Sequence, residues 1–271
     1  MGKLEGKVAF ITGAARGQGR SHAVRLAQEG SDIIAVDICR QMGSAGYAMS
    51  TPEDLQQTVK EVEALGRRIV ARQVDVRDAA EMQKAFDEGA AELGPVEIVI
   101  ANAGIGPGAA VPVEQQWDEV IGVNLTGVWN TGRVAIPSMI EHGRGGAIVL
   151  TSSTGGLIGA PSNAAGMLGY TAAKHGVIGL MRSWANFLAP HFIRVNSVAP
   201  TTVRTPMAGG GNLAAIIEHA PELANALQNA MPVEAVDPID ISNAIAWLVS
   251  HEARYVTGTV VPVDAGNVNR R

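Results

Sequence analysis

A short apolar run, Val8-Ala9-Phe10-Ile11, opens directly into Thr12-Gly13-Ala14-Ala15-Arg16-Gly17-Gln18-Gly19, after which Ala23, Val24, Leu26 and Ala27 recur at helical spacing. The run reads as a buried strand. Glycines between a strand and a helix let the backbone come close to a pyrophosphate, whose charge is met by the free N–H groups of the helix N-terminus. The spacing is Gly-x-x-x-Gly-x-Gly, not the commoner Gly-x-Gly-x-x-Gly. A chain that begins this way is constrained to continue as strand and helix in alternation.

It does so. Further strands are expected at Ile33 to Val36, Arg68 to Val76, Val96 to Ala101, Ala147 to Thr151, Arg194 to Val198 and Thr259 to Val263. Helices are expected at Ala79 to Leu93, at about Val113 to His142 and at about Leu168 to Leu188. The alternation predicts an α/β fold: a single-domain, Rossmann-like, doubly wound parallel sheet of about seven strands with helices on both faces. No linker, repeat or low-complexity tract divides residues 1–271, which read as one domain. Hydrophobic residues at 46% and charged residues at 17% are consistent with a large core. A formal charge of −5 without a basic run disfavours nucleic acid. Cys39 is the one cysteine, so an intrachain disulfide is excluded and a thiolate metal cluster is not expected. The six histidines show no ligand spacing, so no metal is expected, and the four tryptophans are expected to pack. No apolar run reaches the roughly 18–20 residues of a membrane span, and no signal peptide is apparent, so the expected location is cytoplasmic.

The chemistry-bearing residues fall at the C-terminal ends of strands, where open α/β sheets bind ligands. Asp37 ends the second strand, about 20 residues past the glycines, where a carboxylate takes the adenine ribose hydroxyls and repels a 2′-phosphate. It favours NAD over NADP, with Arg16 and Arg40 as weaker counter-signals. The connection from Ile38 to Ser50 is about 13 residues, where about 2–6 are usual. It carries Cys39, Met42, Tyr47 and Met49 and should lie beside a bound adenosine, unless it is a tolerated surface insertion. Thr51-Pro52-Glu53-Asp54 then reads as a capped helix start. Tyr170 and Lys174 share one helix face. At an effective dielectric of about 20, charges about 4 Å apart interact by about 4 kcal/mol, so the ammonium would lower the phenol by as much as about two to three pKa units. The stretch 201–236, with Pro206, Pro221, Pro232 and Gly209-Gly210-Gly211, breaks the alternation and reads as a lid over a small apolar substrate.

Taken together, Thr12-Gly13 through Gly17 and Gly19, Asp37, Asp75-Val76, Asn102-Ala103-Gly104, Asn124, Ser153, Tyr170 with Lys174, and Pro200 with Thr205 strongly resemble the short-chain dehydrogenase/reductase family over almost the whole chain. The resemblance implies Tyr170 as general acid/base and Lys174 as the residue that holds the nicotinamide ribose and lowers the Tyr170 pKa. It implies Ser153, in preference to Ser152, as the group that polarises the substrate oxygen. Asn124 would position a water continuing the proton relay. The implied cofactor contacts are Gly13, Arg16, Gly17, Gln18 and Gly19 at the turn, Asp37 at the ribose, Asp75 with Val76 at the adenine edge, and Asn102, Ala103 and Gly104 along the adenosine. Tyr170, Lys174, Pro200, Val203 and Thr205 complete the set near the nicotinamide. The chain departs from the family pattern at Pro200-Thr201, where Pro-Gly is usual, at Ala265-Gly266, where Gly-Gly is usual, and in a stretch, Pro161 to Leu168, that looks inserted and should border the substrate pocket.

A narrower resemblance, carried by Gly17-Gln18-Gly19-Arg20-Ser21-His22, by Asp37-Ile38-Cys39 with its long loop and by Tyr170-Thr171-Ala172-Ala173-Lys174-His175, is to the carveol-dehydrogenase-like, mycofactocin-associated branch. That branch implies oxidation of a secondary alcohol, terpenoid in kind, with NAD tightly bound and reoxidised by an external redox carrier. Small residues Ala172, Gly176 and Gly179, with the family's habit of pairing this helix across subunits, imply a homotetramer. The competing readings are a 3-oxoacyl-thioester reductase, which Asp37 and the lack of a basic patch disfavour, and a non-catalytic dinucleotide-binding sensor, against which the full Asn124, Ser153, Tyr170 and Lys174 set argues.

Overall fold

The structure is a computed structural model and describes residues 2–106, 108, 111–209 and 225–270. Strands β1 (Val8–Thr12), β2 (Asp32–Asp37), β3 (Ile69–Gln73), β4 (Val96–Ala101), β5 (Gly146–Thr151), β6 (Ile193–Pro200) and β7 (Val260–Val263) form one seven-stranded sheet in the order β3-β2-β1-β4-β5-β6-β7. Every pairing is parallel. Helices α1 (Gly17–Gln28), α2 (Pro52–Glu63), α3 (Ala79–Leu93), α4 (Val113–Ile121), α5 (Gly127–His142), α6 (Ala165–Leu188), α7 (Pro206–Gly209) and α8 (Pro238–Val249) accompany it. Among the described residues, no helix is long and apolar enough to cross a membrane.

The strands are apolar on both sides, and successive residues feed two cores. Phe10, Ile34, Val99 and Ile148 pack with α3, α5 and α6, through side chains such as Phe86, Met139 and Met181. Their neighbours Ala9, Ile33, Ile98 and Val149 pack on the other face with α1, α2 and α8, through Leu26, Leu55 and Ile245. The period of two along each strand therefore divides the helices between the faces. β1 pairs with β2 on one side and β4 on the other, so the chain reverses its direction of winding between β1 and β4. A crevice opens there beyond the carboxyl ends of the strands. Asn102, just past β4, donates its backbone N–H to Thr12 Oγ1 at 3.1 Å and closes the floor of that crevice.

Several boundaries differ from the sequence expectation. The third strand stops at Gln73 rather than running to Val76. Val74 still donates to Asp37 O, but Asp78 N–H turns back onto Asp75 O and the chain leaves the ladder. The single helix expected from Val113 to His142 is two, α4 and α5, joined by a π turn over Gly122–Thr126 that contains Asn124. The helix bearing Tyr170 starts earlier, at Ala165. The helix start at Thr51 is as read: Thr51 Oγ1 accepts from Asp54 N–H, and Asp54 answers by accepting from Thr51 N–H. Trp184 packs against Gly132 and Trp117 against Gly169, while Trp117, Trp129 and Trp247 remain 42%, 43% and 40% exposed, with Arg133 over the Trp129 ring at 5.1 Å.

Phe86 on α3 meets Phe10 edge to face at 5.3 Å, with both rings buried. Phe86→Ala should lower unfolding stability by about 3–5 kcal/mol, read as a shift of the urea midpoint at unchanged slope.

Candidate active site

The crevice is built first by the turn between β1 and α1. Gly13 and Gly17 hold φ of +68° and +56°. A Cβ on Gly19 would lie 1.9 Å from Gly13 O, so this turn admits no side chain there. Gln18 Oε1 is buried without a hydrogen-bond partner. A bare backbone concavity with an unpartnered polar group at a helix N-terminus fits the phosphates and adjoining polar groups of a dinucleotide.

Asp37, at the end of β2, is buried. Its carboxylate accepts from Ala15 N–H at 2.9 Å, Cys39 N–H at 3.1 Å and Ser50 O–H at 2.6 Å. Ser50 comes from the far end of the long loop, so Asp37 ties both ends of that loop to the glycine turn. The loop reaches well beyond an adenosine site and crosses the cleft as a strap. Arg16 Nη2 donates to Ala48 O, Gly106 N–H donates to Tyr47 Oη at 3.3 Å, and Ser44 N–H and O–H both donate to Glu119 of α4, at 2.9 and 2.6 Å. Gln41 braces it from within, giving Nε2 to Ala45 O and Tyr47 O and accepting from Met49 N–H. Cys39 sits at φ +46°, and burial, with Asp37 beside it, pushes its thiol up to about 12, so it is chemically quiet. Both arginine counter-signals already have partners: Arg16 Nη2 donates to Ala48 O, and Arg40 joins Arg77 on the Asp75 carboxylate at 3.1 and 2.6 Å. Those arginines also compete for the carboxylate expected at the adenine edge.

The residues expected to carry the chemistry lie together on the opposite wall. Lys174 is 4% exposed, and its Nζ donates to Thr151 O at 2.8 Å and lies 5.7 Å from the centre of the Tyr170 ring. Ser152 and Ser153 divide their work. Ser152 Oγ donates to the Lys174 carbonyl at 2.9 Å, whereas Ser153 Oγ lies on the Tyr170 side and accepts from Gly155 N–H at 3.1 Å. The expected lowering of Tyr170 by Lys174 is not found. Burial pushes the phenol above its ordinary value and outweighs the Ser153 hydrogen bond. The amine is aimed at Thr151 O, and burial draws it down to about 8. Asn124 is fully buried; its carboxamide accepts from Ile105 N–H at 2.8 Å and donates to Ile105 O at 2.9 Å. A Cβ on Gly104 would stand 3.3 Å from Asn124 Oδ1 and 3.6 Å from Lys174 Nζ, so Gly104 separates the two without crowding either.

A cavity of about 340 Å³ joins these parts and touches Gly13 and Arg16 to Gly19 of the turn, Asp37, Asp75-Val76, Asn102 to Gly104, Ser153, Tyr170, Lys174, Pro200, Val203 and Thr205. Asn124 stands behind it. Thr201 avoids positive φ, and its Oγ1 donates to Asn229 Oδ1 at 2.8 Å; Val203 pairs with Val236 in an isolated parallel bridge. Of the stretch 201–236 expected to form a lid, residues 201–209 and 225–236 are described; the short helix the sequence also suggests at Ala214 to His219 lies outside the described residues. Ile158, just before the inserted stretch, and Met167, within it, give the pocket an apolar wall with Ile105, Met207 and Leu227. Tyr47, from the long loop, and Met207, from the 201–236 stretch, both reach this wall, whereas Ile105 is a wall residue that the sequence reading did not assign.

The model of the short chain dehydrogenase family matches residues 7–214. This chain belongs to the short-chain dehydrogenase/reductase family. The (−)-trans-carveol dehydrogenase of Rhodococcus erythropolis is 47% identical to it over 280 residues, 98% of this chain and 99% of that one. The crystal structure of carveol dehydrogenase from Mycobacterium avium in complex with NAD is 48% identical, with a TM-score of 0.91 over 100% of both chains. That of a short chain dehydrogenase from Mycobacterium paratuberculosis bound to NAD is 46% identical, with a TM-score of 0.93 over 99% of this chain and 100% of that one.

Within this family member, Lys174 leaves a signature in stability. Its folded pKa of about 8 lies below the ordinary 10.5, so between those values the unfolded chain binds the extra proton and stability rises with pH. Below pH 8 the cost of the buried charge is fully present. Urea melts of the parent and of Lys174→Met should show the variant's relative advantage shrinking as pH is raised from 7 to 10.

Proposed function

We propose that this chain is an NAD-dependent dehydrogenase that interconverts a secondary alcohol, terpenoid and carveol-like, and its ketone. The observation that carries the reading is the buried Tyr170, Lys174 and Ser153 group at the switch-point crevice, on the same cavity as the glycine turn and Asp37. The carveol dehydrogenase relatives and their NAD complexes support the substrate class and the cofactor. Asp37, with Arg16 and Arg40 both engaged elsewhere, supports NAD over NADP.

The Gly13 to Gly19 turn would hold the pyrophosphate, Asp37 the adenine ribose and Lys174 the nicotinamide ribose, with Pro200, Val203 and Thr205 beside the carboxamide. Bound NAD supplies a hydride acceptor for the alcohol carbon. Tyr170 takes the alcohol proton on its Oη while the Ser153 hydroxyl donates to the same oxygen as it gains carbonyl character. The Lys174 ammonium opposes the burial cost of the phenolate. The Asn124 carboxamide already holds both backbone groups of Ile105, so a water in the proton relay falls to the main-chain carbonyl of the π turn. The apolar wall of Ile105, Ile158, Met167, Met207 and Leu227 suits a hydrocarbon skeleton and excludes water from the reacting oxygen.

The strap from Ile38 to Ser50 would keep NAD in place between turnovers, with an external redox carrier reoxidising it, and the segment 201–236 would close over the substrate as a lid. Ala172 and Gly179 stand exposed on α6 and support close pairing of this helix between subunits of a homotetramer; Gly176 has a use within the chain, since a Cβ there would meet Leu125 at 2.9 Å. The reading is of a cytoplasmic enzyme.

Tyr170→Phe should lose about 10²–10⁴-fold in turnover while binding NAD as the parent does; full turnover in the variant would sink the acid/base assignment. Because burial raises the Tyr170 pKa, alcohol oxidation should increase with pH through the alkaline range. Mass spectrometry of nucleotide released by denaturing the desalted protein should find near-stoichiometric NAD, and Tyr47→Phe, which removes the acceptor of the Gly106 N–H, should speed its exchange with labelled NAD. No retained nucleotide would mean ordinary exchange at each turnover, and NADP would overturn the Asp37 argument.

A further inference from the structure

Ala226 and Leu227 line the cavity, and the stretch that carries them is held from two directions. From the end of β6, Thr201 Oγ1 donates to Asn229 Oδ1, and Asn229 Nδ2 donates on to Val233 O, each at 2.8 Å. From the turn after β7, Ala265 O accepts from Met231 N–H at 2.9 Å. The same turn supplies Asn267, a buried residue that the chemistry above leaves without a task. Its Nδ2 donates to Ala226 O at 3.0 Å and to Gln228 O at 2.8 Å, the two carbonyls on either side of Leu227. Two carbonyl oxygens can be met only by the amino end of a carboxamide, which has two hydrogens to give. Asn267 Oδ1 is consequently turned away, and it is buried with no hydrogen-bond partner. An unpaired buried acceptor carries a cost, so what this residue gives the structure is its two donors.

The turn that presents Asn267 is itself constrained. Asp264, buried at its start, accepts on its carboxylate from Gly266 N–H at 3.0 Å and from Val268 N–H at 2.9 Å, and its carbonyl accepts from Asn267 N–H at 3.0 Å. Ala265 and Gly266 follow one another in the left-handed region, at φ +48° and +80°. Alanine adopts that region under strain, and such strain persists where the surroundings over-determine it. Here they do: Ala265 O is committed to Met231, and a Cβ on Gly266 would stand 2.9 Å from Ala230 Cβ. The turn is fitted to the stretch that carries Leu227. We propose that Asn267 is a positioning residue for substrate selectivity: by holding both carbonyls beside Leu227 it fixes that side chain in the apolar wall, and Leu227 so fixed favours an alcohol with a bulky cyclic hydrocarbon skeleton over a small one. Asn267 does not line the cavity, so its effect passes through Leu227. The inference rests on the reading of that wall as the substrate's.

The test is single-turnover reduction of NAD loaded on the full chain, followed by NADH absorbance, with carveol and 2-butanol as the probe alcohols. Leu227→Ala should raise the half-saturating concentration of carveol by about tenfold, the lower end of what a missing methylene costs an apolar pocket, and leave the limiting rate, NAD affinity and 2-butanol as in the parent. Asn267→Ala should raise it by roughly three- to tenfold, the worth of one hydrogen bond, with the same selectivity. Asn267→Asp, which keeps the shape and removes the donors, should lose as much. The double variant Leu227→Ala with Asn267→Ala should be no worse than the worse single one. Hydrogen exchange should quicken over residues 225–233 in the Asn267 variants and stay as in the parent along β4, β5 and β6. Equal shifts for the two alcohols, additive losses in the double variant, or faster exchange throughout the sheet would overturn the inference, because a general loosening of the fold produces each of them. Unchanged carveol saturation in Leu227→Ala would also overturn it, and that variant leaves the backbone anchors in place, so the result stands even where an Asn267 variant fails to fold. Failure of the parent to oxidise carveol would instead overturn the functional reading, and the inference with it.

Discussion

The docking of Lys174 onto the end of β5 is the interaction on which the site depends. The residue is tied there twice, by Nζ to Thr151 O and by its own carbonyl to Ser152 Oγ. The approach is so close that a Cβ on Gly156 would stand 2.6 Å from that carbonyl. These contacts fix the rotation of α6 against the sheet. Rotation in turn decides that Tyr170, one turn earlier, faces Ser153 and the cavity rather than the core. An amine buried this deeply is costly unless something anionic arrives or forms nearby. In the proposed chemistry the phenolate of Tyr170, the form that accepts the alcohol proton, is that partner, so the ammonium that is unfavourable beside a neutral phenol favours the base before the proton leaves the substrate.

A second constraint lies across the cleft. Asp37 accepts from both ends of the 38–50 loop as well as from the glycine turn, so the carboxylate organises a strap in addition to lining the cavity. The strap then finds partners on three separate elements: the turn at Arg16, the segment after β4 at Gly106, and α4 at Glu119. A loop with this many directed hydrogen bonds is a built part of the site and not a tolerated insertion. Opposite it, Met207 of α7 comes close to Gly106, where a Cβ would lie 3.2 Å from the methionine side chain. Strap and lid root therefore meet over one short stretch of backbone.

Most of the fold was legible because its signals are local. Alternating apolar strands and amphipathic helices, the glycine turn at residues 13–19 and the capping box at Thr51 each lie within a few neighbouring residues. Boundaries slipped where a tertiary hydrogen bond took over from the ladder, as at Gln73, or where a helix widened to seat a side chain, as at Asn124. The exposed Trp117, Trp129 and Trp247 show the converse: an aromatic in a helical pattern says nothing about whether its face turns inward. The strap's destination was out of reach for the same reason, since Tyr47 and Gly106 are joined by a contact between loops, which have no period to read.

By itself the sequence determined the parallel sheet, the glycine turn, the acid after β2 and the Tyr170 and Lys174 pair, because residue type and spacing suffice to specify them. Tertiary structure decided what those residues experience. Burial, not the neighbouring amine, sets the direction in which the Tyr170 pKa moves. Packing turns Ser152 to the backbone and Ser153 to the phenol, and it commits the Asn124 carboxamide to Ile105. Desolvation and hydrogen-bond geometry depend on every atom that surrounds a group, and those surroundings come from elements far apart in the chain.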